Sequence, residues 1–173
     1  MRQFLKAINK ASDLGSIGAS VCILIIIALI LVEIFMRTVS GRSTFVTEEF
    51  SGYLLSWFAY LGMAYTFKTD GHIRVTMVLS KIGDRKRVTL EILAGVIGMA
   101  TFAYLTIHLA MVMHDSLTSG VRSMHISETP LFIPQIIPVV GSALMTFQFL
   151  PYLVDRWHDF VAAKKKKGEV ING

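Results

Sequence analysis

Residues 17–36 read IGASVCILIIIALILVEIFM, an apolar run broken by one acidic side chain, Glu33, close to its end. A helix rises about 1.5 Å per residue and the hydrocarbon core of a bilayer is about 30 Å thick, so roughly 20 such residues cross it. Residues 50–67, 88–113 and 131–154 have the same character, and Glu91 is the only other acidic or basic side chain inside any of the four stretches. Residues 50–67 are near the lower limit of length, whereas 88–113 have length to spare and can tilt. The sequence therefore predicts an all-α integral membrane protein, a single membrane domain over residues 1–173 built from four transmembrane helices. A hydrophobic fraction of 53% argues against disorder.

The net charge of +5 does not point to nucleic acid, because the basic residues lie between the spans rather than on one face. Fourteen of the 17 Lys and Arg residues fall in the N-terminus, the second connection and the tail, and three in the other two connections. The positive-inside rule then puts both termini in the cytoplasm, and an even number of spans requires the same. Residues 155–173 become a basic cytoplasmic tail. Cys22 is the single cysteine and lies inside the first span, so no disulfide framework exists. The first apolar run exceeds a signal peptide's core, and it reads as an uncleaved helix.

Small residues form stripes at helical spacing: Gly15, Gly18, Ala19 and Cys22 in the first span, Gly52, Ser56 and Gly62 in the second, Ala94, Gly95 and Gly98 in the third. Such stripes let helix backbones approach where lipid supplies no hydrophobic drive. They serve packing within the bundle or contact with another subunit. Glu33 and Arg37 stand four apart, acid first, the favourable order for a helical ion pair. Thr47 is placed to cap the second helix, with Glu48 and Glu49 in its first turn at the positive end of the dipole. The indole N–H of Trp57, well inside the second span, needs an acceptor, so the expectation is that it faces protein, with lipid-facing bulk as the alternative. Val75, Val78, Leu79 and Ile82 make an amphipathic stripe, which reads as a short interfacial helix at about residues 74–83 on the cytoplasmic surface or, alternatively, as a plain loop. Pro134 and Pro138 cannot both occupy the first turn of the last helix, which therefore starts near Pro138 or is broken there, and any freed backbone must be covered by protein.

The chemistry excluded is as informative. Of five histidines, His108 alone is inside a span, towards its outer third, so a pair of axial haem ligands cannot be assembled at one depth. Glu33 and Glu91 are near span ends and do not supply the midplane charge that proton-coupled transport requires. No metal cluster, nucleophile–base spacing or phosphate loop appears. The chain reads as neither an enzyme nor a cofactor carrier.

In order and spacing, several motifs resemble the DctQ-like small membrane subunit of tripartite ATP-independent periplasmic (TRAP) transporters. They are Arg37 after span one, Glu48-Glu49 opening span two, Trp57, Leu61-Gly62-Met63-Ala64, Gly71-His72-Ile73-Arg74-Val75 and the Pro130–Pro138 stretch. Thr47 and Thr76 depart from that pattern, where an aromatic and an acidic residue are usual. The resemblance covers most of the chain. It implies a bacterial inner-membrane helper that holds a large multi-span DctM-like permease. A soluble periplasmic DctP-like protein delivers the substrate, and a sodium gradient drives uptake of organic acids such as C4-dicarboxylates or sialic acid. Arg37, Glu48, Glu49, Trp57 and Gly62 are then the candidate subunit contacts. Two rivals are a self-contained homodimeric transporter, which needs a midplane charge, and a membrane anchor for a redox complex, which a haem spectrum would expose.

Overall fold

The computed structural model describes residues 2–69 and 84–171. It is all-helical: α1 (Arg2–Ser40), α2 (Thr47–Lys68), α3 (Asp84–Thr118) and α4 (Phe132–Ile171). Among the described residues the only extended pairing is an isolated bridge between Arg122 and Pro130. The expected interfacial helix at 74–83 and the Gly71–Val75 motif lie outside the described residues.

The helices run well past the apolar stretches. α1 has 39 residues and α4 has 40, so α4 carries on through the predicted tail. Gly41 and Gly120, both in the left-handed region at φ 63 and 62, follow the ends of α1 and α3, where an L side chain would be strained. Among the described residues three segments are long and apolar enough to cross a membrane: Leu5–Ser40, Arg87–Thr118 and Phe132–Val161. Tyr, Ser and Gly residues make α2 less apolar than these.

α1 and α2 form one antiparallel pair, α3 and α4 another, and α4 also packs along α2 and against α1. α3 is an edge helix resting on α4. The core is small: Ala64, Met145 and Phe149 are buried, ringed by Met63, Phe67, Met99, Phe102, Leu144 and Tyr152. Most of the striped glycines are used inside the chain, while Gly52 has nothing within 4 Å of where its Cβ would be. A Cβ on Gly15 would stand 2.8 Å from the Leu61 carbonyl oxygen, and one on Gly141 only 2.6 Å from that of Tyr60. Gly95 and Gly98 make room on α3 for Tyr152 and Phe149 of α4. Large apolar side chains such as Leu24, Leu31, Phe35, Leu93 and Ile97 point away from the bundle. Water would reject such faces, and lipid or a partner accepts them.

One expectation needs correction, and one of two alternatives falls away. Thr47 does not cap α2: Val46 precedes the helix without a side-chain cap bond, and the Thr47 hydroxyl is turned to Glu33 and Thr44 instead. A cap must sit just before the helix and accept from a first-turn N–H, whereas Thr47 is already the first helical residue and donates its O–H to the carboxylate. The last helix also does not start near Pro138. It begins at Phe132, takes Pro134 in its first turn and carries Pro138 in its interior.

Candidate functional site

At one end of the bundle a single carboxylate organises the α1–α2 turn. Glu33 lies on the face of α1 that also buries Ala19, Cys22 and Ile26, which brings it beneath the start of α2. Its Oε1 accepts from Arg37 Nε at 2.6 Å and from the Ser43 hydroxyl at 2.6 Å. Its Oε2 accepts from the Thr44 N–H at 3.1 Å, the Thr44 hydroxyl and the Thr47 hydroxyl at 3.2 Å. Arg37 also donates from Nη2 to Ser43 at 3.2 Å. The guanidinium is thus a strut of the turn, yet its side chain remains 65% exposed.

Glu48 and Glu49 are neighbours in sequence and part company in space, because successive helical residues point about 100° apart. Glu49 turns inward and is 4% exposed. It accepts from the Tyr53 hydroxyl at 2.7 Å and from the Ser127 hydroxyl, tying α2 to the α3–α4 loop. It sits just before the apolar stretch 50–67. Burial pushes its carboxyl up, and the hydroxyls of Ser127, Ser123 and Tyr53 with the nearby His125 outweigh that, bringing it down to about 2. Glu48 turns outward onto an open cavity of about 910 Å³ that Ile30, Ile34, Arg37, Phe45 and Ser51 also line.

Trp57 joins two features that the sequence presents separately. Its indole N–H donates to the Pro134 carbonyl at 2.9 Å. Pro138 has no N–H to offer the carbonyl four residues back, so Pro134 O is the group that the helix leaves unpaired. Gly62 faces α1, where a Cβ would lie 3.6 Å from that of Ala19. The five candidates therefore do not form one patch. Arg37 and Glu48 share the open cavity, Glu49 and Trp57 brace the bundle beneath that end, and Gly62 lies in the α1–α2 seam.

The opposite end holds a polar network that sequence reasoning missed. Lys68 Nζ donates to Asp13 Oδ1 at 2.7 Å and to the Asn9 carbonyl at 3.2 Å. Ser12 donates to Gln148 Oε1 at 2.8 Å, and Gln148 Nε2 to Asn9 Oδ1 at 2.9 Å. The signal was available: Asn9 and Ser12 are three apart on one helix face, and Gln148 is the lone amide late in an apolar stretch. Glu91, also buried, pairs with Arg87 at 3.2 Å and with Arg156 of α4 at 3.3 Å. The bundle interior is thus less empty than expected, but its buried carboxylates are all paired within the chain.

The contacts of α3 fix the height of His108 within the bundle. Thr106 meets Thr146 at 3.5 Å, and Gly141 of α4 meets Tyr60 in the middle of α2. Because α3 and α4 run antiparallel, that register sets His108 about level with Leu144 of α4, roughly three residues along from the Gly141–Tyr60 contact. Among the described residues no group of three or more His, Cys, Asp or Glu side chains could hold a metal ion.

Residues 26–159 match the family of tripartite ATP-independent periplasmic transporters, DctQ component. A Haemophilus influenzae protein with the name "Putative TRAP transporter small permease protein" is 34% identical over 88 residues, which cover 47% of this chain and 49% of that relative. The chain thus spans about half the length of the curated relative it matches.

Proposed function

The chain belongs to the DctQ component family of tripartite ATP-independent periplasmic transporters, and from that membership we propose that it is the non-catalytic scaffold subunit of such a system. In this reading four helices span a bacterial inner membrane with both termini in the cytoplasm. The Glu33 and Glu49 end is periplasmic, and the end with Lys68, Arg87 and Arg156 is cytoplasmic, in keeping with the basic bias of the connections. The chain grips a large multi-span permease, which carries organic acid and sodium, while a soluble periplasmic protein delivers the cargo. Arg37 and Glu48, beside the open cavity, are the periplasmic-end contacts with the rest of the assembly.

One observation carries this reading: the buried carboxylates Glu33, Glu49 and Glu91 each have their charge taken up by the chain's own side chains. A cation-coupling site needs oxygen ligands free to take the ion, and none of these three carboxylates is free. Extraction from native membranes in mild detergent tests the proposal. A multi-span permease recovered in one-to-one amount supports it, and a lone homo-oligomer of this chain contradicts it.

A further inference from the structure

The edge helix α3 presents an outward stripe of Ile97, Thr101, Tyr104, His108 and Met111, at spacings of four, three, four and three residues. All five are exposed. Not one residue in the apolar window of α3 is buried by the rest of the chain. The Tyr104 and His108 rings lie 4.2 Å apart, and neither His108 nor the Tyr104 hydroxyl has a hydrogen-bond partner among the described residues.

Depth makes this unusual. His108 stands within about three residues of the Tyr60 level, which is about 12 Å along the helix from Lys68 and about 17 Å from Glu49, so it lies well inside the bundle's length. An imidazole facing hydrocarbon there has nothing to bond, and water is absent. The outward face of α1 gives the contrast: Ile17, Val21, Leu24, Leu31 and Phe35 carry no polar group and suit acyl chains.

Resting on the scaffold reading above, we infer that the Thr101–Tyr104–His108 stripe of α3 is the seam on which the large permease packs. The permease places a hydrogen-bonding side chain opposite His108. The α1 face meets lipid. Polar complementarity selects a protein helix over lipid, because only a protein can supply a fixed acceptor or donor at that depth.

Photo-crosslinking in native membranes tests it, with Tyr104→p-benzoylphenylalanine and Leu24→p-benzoylphenylalanine made in the full chain. The inference expects Tyr104 adducts to map to a membrane helix of a multi-span permease, and Leu24 to label lipid. Tyr104 adducts only with lipid or a second copy, while the permease co-purifies, overturn the inference alone. Failure of the unsubstituted chain to co-purify with any multi-span permease overturns the scaffold reading, and the inference with it. A second variant, His108→Leu, is expected to lower permease recovery roughly threefold, the factor one average intramembrane hydrogen bond supplies. The isolated chain is expected to melt as before. Unchanged recovery would remove His108 from the seam.

Discussion

Replacing Trp57 by Phe should weaken the bundle, and replacing Pro138 by Ala should make that change cheaper. The indole donates to Pro134 O at 2.9 Å, a carbonyl free because Pro138 has no N–H for it. Trp57→Phe keeps a ring in place and orphans the carbonyl. A buried acceptor left unpaired costs about 1–3 kcal/mol in soluble proteins, and interhelical bonds in membranes average about 0.6 with a ceiling of about 1.7. The hydrogen-bond part should thus be about 1 kcal/mol, a factor of about five in the folding equilibrium. Pro138→Ala restores an N–H four residues on, which takes the same carbonyl within the helix. In that background the packing loss of Trp57→Phe persists and the hydrogen-bond part disappears. The assay is reversible unfolding in mixed detergent micelles for both single variants and the double variant, read as a double-mutant cycle. Equal costs of Trp57→Phe in both backgrounds would refute the pairing.

Other outcomes follow from the same geometry. Gly141→Ala should cost about 1–3 kcal/mol, because its Cβ would meet the Tyr60 backbone, while Gly98→Ala should cost less because the obstacle is the movable Phe149 ring; detergent melting orders the two. Gln148→Leu should destabilise by about 1 kcal/mol through the orphaned Asn9 Oδ1, since the Ser12 hydroxyl keeps the Ile8 carbonyl as acceptor, and Asn9→Ala should largely suppress that cost; unfolding of the double variant checks it. Glu48→Lys should leave the chain folded and inserted while lowering uptake by the assembled system, whereas Glu49→Lys should lower the yield of folded chain; uptake normalised to inserted protein separates them. Because the Glu49 carboxyl is depressed to about 2, its contribution to stability is full above the ordinary value near 4.5 and fades as pH falls towards 2. Glu49→Gln should flatten the acid limb of a melting-against-pH profile over that window.

The helices were legible in residues 17–36, 88–113 and 131–154 because lipid demands long unbroken apolar runs, a signal that survives any packing. The bundle seams were legible too, since Gly15 and Gly98 are small where another helix must come close. Helix length was not: α1 and α4 continue through polar sequence, where propensity rather than lipid decides. Glu48 and Glu49 looked equivalent because one-dimensional reading ignores the 100° turn between neighbours. The partnership of Trp57 with Pro134 was half visible. The indole's need and the proline's freed carbonyl could each be read, but their register across 77 residues is a tertiary fact. Gln148 was passed over as one amide among apolar neighbours, and its partners Asn9 and Ser12 lie beyond the stretch that defines the first span.

Purified chain reconstituted alone into sodium-loaded and sodium-free liposomes, and offered labelled C4-dicarboxylate and sialic acid, tests the scaffold account most directly. The expected result is no uptake above empty vesicles under any gradient, with transport appearing only when the large permease and the periplasmic binding protein are added. Solute accumulation by vesicles that hold this chain and nothing else would contradict it.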